Sequence, residues 1–193
     1  MPGRRPLFGG AIEAEVPSKL IDASELRQVP DTQEVLLSPD SDVTLIVEVL
    51  QRVDKDDLGE AISFHFDSLA HDNSASSSSV TQIFALPGTT PSPTFSPSSL
   101  SKDTPTPSPL ALVGEQQVPK FGKQELNDRV RIWLALWRLS PAKNVDLVLS
   151  VNEPLKGDDV LQADDTSSSS EARDLFEKAV TSLKIQDWNL FSA

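Results

Sequence analysis

The chain has no cysteine, only two histidines, and no apolar run near the length of a bilayer. The missing cysteines exclude disulfides, thiolate zinc sites and a cysteine nucleophile, and they are compatible with a reducing compartment. Crossing the hydrocarbon core takes about 20 consecutive apolar residues, so no transmembrane helix is expected. The opening residues, MPGRRPLFGG, carry two arginines and no apolar h-region, so no secretory signal is read and the protein is expected to stay inside the cell. Also missing are a Gly-rich phosphate loop, a G-x-S-x-G elbow, an H-E-x-x-H motif and any internal repeat. His65 and His71 lie six apart, so one helix does not present both to a metal, and His65 reads as a packed helix residue. Asp54, Asp56 and Gly59 partly match an EF-hand loop, but Leu58 takes a ligand position and His65 replaces the closing glutamate. A helix start explains that segment better. An enzyme is therefore disfavoured, and no cofactor or metal is expected.

What is abundant is acid. The formal net charge is -12, and Met1 to Asp72 alone hold fifteen Asp or Glu against six Lys or Arg, a net of -9. Such a surface repels phosphate backbones and anionic headgroups, which argues against nucleic acid and membrane partners. A basic protein surface is its natural complement; the plainer alternative is that the charge only keeps the protein soluble. At 193 residues and 38% hydrophobic content, one domain with a sizeable core is expected.

Periodicity places the elements. GGAIEAEVP alternates Ile12, Ala14 and Val16 against Glu13 and Glu15, the pattern of a strand with one wet face. QEVLLS and VTLIVEVL, separated by PDSD, read as a hairpin. Leu58, Ala61, Ile62, His65, Phe66 and Leu69 fall at helical spacing behind an Asp54 cap, with Asp57 at the third position. From His71 to about Pro109 the composition turns to Ser, Thr and Pro, and a flexible insertion is expected within the single domain. VTQIFAL inside it is either an edge strand or a fragment with no stable place. DRVRIWLALWRL and VDLVLSVNEPL, joined by SPAKN, read as two long central strands that need cover on both faces. Trp133 and Trp137 are expected in the core. After the polar KGDDVLQADDTSSSS, Leu175, Phe176, Ala179, Val180 and Leu183 form the stripe of a second helix, with Ser168 and Glu171 as a capping box. Trp188 is expected to pin the C-terminus. The sum is an α+β domain: a mostly antiparallel sheet flanked by helices.

Four acids stand out, and two have local explanations. Asp22 fits the N-cap of a short helix beginning at Ala23, with Glu25 three residues on and Ile21 and Leu26 placed for a hydrophobic staple. Asp31 fits a turn, VPDT, with Pro30 at the second position. Glu34 answers to neither. Glu48 shares a strand face with Ile46 and Leu50, so it must either pair with Arg129, Arg131 or Arg138 on a neighbouring strand or be exposed for use.

LFGGAI, IDASELRQVPDTQEV, LIVEVLQRVDKDDLGEA, LALWRL, VDLVLSVNEPL and SLKIQDWNLF occur in the order and roughly the spacing of the Mog family of Ran guanine nucleotide release factors, which the chain resembles outside the Ser/Pro stretch. The resemblance implies an α/β/α sandwich around a mixed, largely antiparallel sheet, similar to PsbP. It implies binding to the GTPase Ran, release of Ran's nucleotide without catalysis, a role in nuclear protein import, and a monomer found in nucleus and cytoplasm. The family's Ran-binding acids fall on Asp22, Asp31, Glu34 and Glu48. The family's pair of acids three apart stands here as Glu48 and Gln51, so one charge is missing. An acidic adaptor that binds Ran or other proteins without releasing nucleotide is the competing expectation.

Overall fold

In the computed structural model, residues 2–93, 95, 103–120, 123–139, 144–155 and 170–191 are described. The strands are β1 (Pro2–Leu7), β2 (Ile12–Pro17), β3 (Ile21–Asp22), β4 (Gln33–Leu37), β5 (Thr44–Gln51), β6 (Ser77–Ala85), β7 (Leu110–Lys120), β8 (Lys123–Arg138), β9 (Val145–Leu155) and β10 (Lys184–Ile185). The helices are α1 (Leu58–Asp72) and α2 (Glu171–Ser182). β2 alternates buried and half-buried residues as its sequence pattern requires. β9 is buried at every position from Val145 to Val151, because both faces of the sheet are covered there.

Seven strands form one sheet in the order β3-β4-β5-β9-β8-β7-β6, and β1-β2-β10 form a second. All pairings between these strands are antiparallel, and among the described residues the one parallel contact is the isolated bridge between Phe95 and Leu139. One face of the large sheet packs Leu45, Val47, Trp133, Ala135, Trp137, Leu147 and Leu149 against the α2 stripe and the small sheet. The other face packs Leu112, Ile132, Leu134, Leu136 and Val148 under Ala61, Ile62 and Phe66 of α1. Helices therefore lie on both faces, as the twofold burial of the central strands demands. Trp188 is buried, stacks on Phe95 with ring centroids 5.4 Å apart, and sits in a 3-10 turn tied to Ala11 by the Gln186 and Asp187 N–H groups.

Some local expectations need correction. The described residues of 71–109 are not a loose insertion: β6 includes VTQIFA of VTQIFAL, the edge-strand alternative, and pairs with β7, a strand that periodicity did not single out. Leu86 is buried, the Phe95 N–H donates to the Arg138 carbonyl at 2.9 Å, and Thr106 Oγ1 accepts from the Ile185 N–H at 2.8 Å. Backbone pairing to distant strands gives these polar residues a place that composition alone does not reveal. α1 is capped by Asp57, whose carboxylate accepts the Glu60 N–H at 2.9 Å, rather than by Asp54. The guanidinium of Arg138 donates to the carbonyls of Val53 and Lys55 and holds that stretch as a loop. The α2 cap is Ser170, accepting from the Arg173 N–H; Ser168 lies outside the described residues.

Gly114 marks a close approach on the α1 face. A Cβ there would lie 2.5 Å from Phe66 Cζ and 2.6 Å from the Ser79 carbonyl oxygen, and the backbone of paired β6 cannot retreat freely. Gly114→Ala is expected to cost about 2 kcal/mol through overpacking, lowering the melting temperature by about 6 °C. A melting curve within a degree of wild type would show that the strand pair yields.

Candidate partner-binding edge

The edge formed by β3, β4 and β5 collects all four singled-out acids, but not on one face. Asp22 lies opposite Leu36 and Glu34 opposite Val47, and both apolar partners belong to the core under α2. Glu48 lies opposite Gln33 in the same ladder and therefore projects from the α1 face. Asp31 sits exposed in the turn that leads into β4. Gln51, three residues from Glu48, projects to the face opposite Glu48 because side chains alternate along a strand. The acids thus wrap around one rim of the sheet.

Asp22 caps as expected: its Oδ1 accepts the Ser24 N–H at 2.8 Å. The segment it caps is only a 3-10 turn, Ala23–Glu25, so Ile21 and Leu26 form no staple; they are exposed, Leu26 at 68%. Hydrogen bonding from Ser24, with Arg5 Nη2 at 4.0 Å, holds the Asp22 carboxyl below its ordinary pKa. The turn at Asp31 is closed by the Gln33 N–H donating to the Pro30 carbonyl at 2.9 Å, so proline occupies its first position rather than its second. The Val49 N–H donates to the Thr32 carbonyl at 2.9 Å and ties this turn to β5.

Glu34 has a structural partner that the sequence did not show. Its Oε1 accepts the Phe8 N–H at 2.5 Å, and Phe8 begins a turn with φ 50°, followed by Gly9 at 65° and Gly10 at 94°. A phenylalanine in the left-handed region is strained, and the carboxylate helps hold it there. Glu34→Ala is expected to cost about 1 kcal/mol by leaving that N–H without its acceptor. Glu34→Gln keeps an acceptor oxygen and should melt near wild type. Equal melting temperatures for the two variants would remove Glu34 from this role.

Glu48 is 9% exposed, and Gln33 Nε2 donates to its Oε1 at 2.5 Å. Burial raises its pKa, opposed by the Gln33 hydrogen bond and the nearby His65, while Asp72 adds to the rise. None of the three expected arginines reaches it. Arg129 and Arg131 pair with Glu115, and Arg138 pairs with Asp146. Among the described residues no cation forms an ion pair with Glu48, so its largely buried carboxylate is held by the Gln33 hydrogen bond with only His65 as a nearby positive influence. Gln33 is the residue that sequence reasoning missed, since its role requires the β4–β5 register. Exposed Leu26 and Ile21 beside Asp22 add apolar contact area to the acidic rim.

A mostly antiparallel α+β domain with an acidic sheet edge and exposed apolar residues beside it has the makeup of a protein-binding surface. Residues 5–154 match the family described as Ran-interacting Mog1 protein. The chain is 35% identical over 188 residues to the human Ran guanine nucleotide release factor, covering 96% of this chain and 95% of that protein. It is 32% identical over 200 residues to the nuclear import protein MOG1 of Saccharomyces cerevisiae, covering 96% of this chain and 83% of that protein. The crystal structure of the Saccharomyces cerevisiae Ran-binding protein Mog1p superposes with a TM-score of 0.73 at 30% identity, covering 100% of this chain and 99% of that one. The chain belongs to the Mog1 family.

Proposed function

We propose that this protein binds Ran through the β3–β4–β5 edge and promotes release of its guanine nucleotide, in support of nuclear protein import, acting in nucleus and cytoplasm. The observation that carries this reading is Glu48: a largely buried carboxylate beside the sheet edge, held by Gln33 and forming no ion pair among the described residues. Membership of a family described as Ran-interacting supplies the partner. Asp22 and Asp31 supply charge beside it, and Glu34 combines a structural hydrogen bond with the same role.

Release needs no bond-breaking chemistry. A protein that binds the nucleotide-free GTPase more tightly than the loaded one must, by linkage, weaken nucleotide binding. Carboxylates achieve this by pairing with lysines or the magnesium ion that otherwise hold the phosphates.

The test is loss of fluorescent guanine nucleotide from purified Ran, which should accelerate in proportion to added protein. Binding without acceleration would make the protein an acidic adaptor instead. Association should also depend on salt: the on-rate is expected to fall about tenfold between low and physiological ionic strength, since ions screen the attraction between unlike surfaces. A flat on-rate would leave the acids a role in solubility only.

A further inference from the structure

The opposite end of the seven-stranded sheet carries a second surface. β6 is the terminal strand there, and among the described residues no strand pairs with its outer edge. Alternate backbone N–H and C=O groups of such a strand face outward. Every residue from Ser77 to Ile83 is exposed. Val80, Ile83 and Phe64 of α1 are large apolar side chains exposed by 41%, 39% and 47%. They belong to one place: Phe64 and Ile83 line a shallow groove of about 490 Å³, and Val80 projects from the same face, opposite Gly114 where Phe66 packs. Asp57, Glu60 and Asp67 of the α1 segment line that groove as well, with Lys55 the basic residue among them.

We propose that this edge accepts an extended segment of a basic protein as an added strand. Main-chain hydrogen bonds to β6 supply affinity, and an apolar side chain of the added strand rests on Phe64 and Ile83. Basic side chains two residues to either side lie on the same face of that strand and meet Asp57, Glu60 and Asp67. The pairing register of β6 shifts between Val80 and Gln82, a bulge that twists the strand and divides its ladder into Ser77–Val80 and Gln82–Ala85, the second run carrying the groove residue Ile83. A short segment is therefore enough. A second copy of this chain is a poorer occupant, because pairing two β6 edges would bring two acidic rims together on molecules that each carry a net charge of -12.

The probe is the capped peptide Lys-Thr-Val-Thr-Lys, titrated into isotope-labelled protein with backbone amide chemical shifts as the readout. Shifts should concentrate at Gln82–Ala85 and Phe64. Replacing both lysines of the peptide with glutamate, or methylating its valine N–H and flanking amides, should weaken binding about tenfold or more. A Phe64→Ser, Ile83→Thr double variant should lose the same factor with the rest of its spectrum in place, and its stimulation of Ran nucleotide release should equal wild type because that activity uses the other edge. Absence of shifts at millimolar peptide, equal binding by the glutamate or methylated peptide, or concentration-dependent self-association abolished by the double variant would each overturn the proposal.

Discussion

Asp146→Ala is expected to cost about 3–5 kcal/mol of stability, because it strands a buried cation. Asp146 is fully buried on β9 and accepts three hydrogen bonds: from Arg138 Nε at 3.1 Å, His65 Nε2 at 2.9 Å and the Val53 N–H at 3.1 Å. The Arg138 side chain is itself inaccessible, and its remaining donors hold the carbonyls of Val53 and Lys55. Removing the carboxylate leaves a guanidinium in the core with no counter-charge and frees the loop between β5 and α1 from one of its anchors. The melting temperature should fall by about 10 °C or more. Asp146→Leu combined with Arg138→Met should recover part of that loss, since an apolar pair carries no desolvation penalty while the loop carbonyls still lack their donors. A single variant melting within a few degrees of wild type would refute the account.

The same group sets an acid limit. Burial alone would raise the Asp146 pKa, but the His65 and Val53 hydrogen bonds and the Arg138 charge outweigh it, and the folded-state value lies below the ordinary one. A carboxyl with a depressed folded pKa contributes stability above its unfolded pKa of about 4 and loses it as pH falls through the folded value. Wild type should therefore lose stability below about pH 4 more steeply than the alanine variant.

Glu48→Gln is expected to do two opposite things: raise stability at neutral pH and weaken Ran binding. The folded-state pKa of Glu48 is raised, first by burial. For such a group the favourable contribution is present below the unfolded pKa and is lost as pH rises through the folded pKa, so neutral pH is where this carboxyl supports the fold least. Glutamine keeps the shape and can still accept from Gln33 without the cost of burying a charge. A gain of about 1 kcal/mol, or about 3 °C, is expected at pH 7. It should vanish at pH 4, where wild type carries the proton itself. Binding should move the other way. A desolvated carboxylate facing a basic partner is worth about 2 kcal/mol or more in a complex, so affinity for nucleotide-free Ran should fall at least tenfold, and stimulated release with it. Melting curves at both pH values beside release rates decide this: a destabilised variant would mean Glu48 has an internal cation, and a more stable variant with full release activity would take it out of the binding edge.

These two carboxylates show where sequence reading stops. Ile46, Glu48 and Leu50 share a face by alternation, and that an acid there needs a partner is evident from the chain alone. Which partner is not, because a one-residue change in strand register moves every side chain to the other face. The tertiary structure chose Gln33 for Glu48 and Arg138 with His65 for Asp146, contacts that span 15, 8 and 81 residues. It also split the four acids, turning Glu34 toward Phe8 on one face while Glu48 leaves from the other.

Local periodicity and local hydrogen bonding were legible without any fold. The strand at Ile12–Val16, the two long central strands, the need for cover on both of their faces, the apolar stripe of α2, the Asp22 cap and the burial of Trp133 and Trp137 all arise from interactions within a few residues or from the period of the apolar positions. The β6–β7 pair, the small β1-β2-β10 sheet, the loop clamp by Arg138 and the outward face of each acid were decided only when distant segments met. Their free energy lies in non-local backbone pairing and buried charge, which no window of sequence contains.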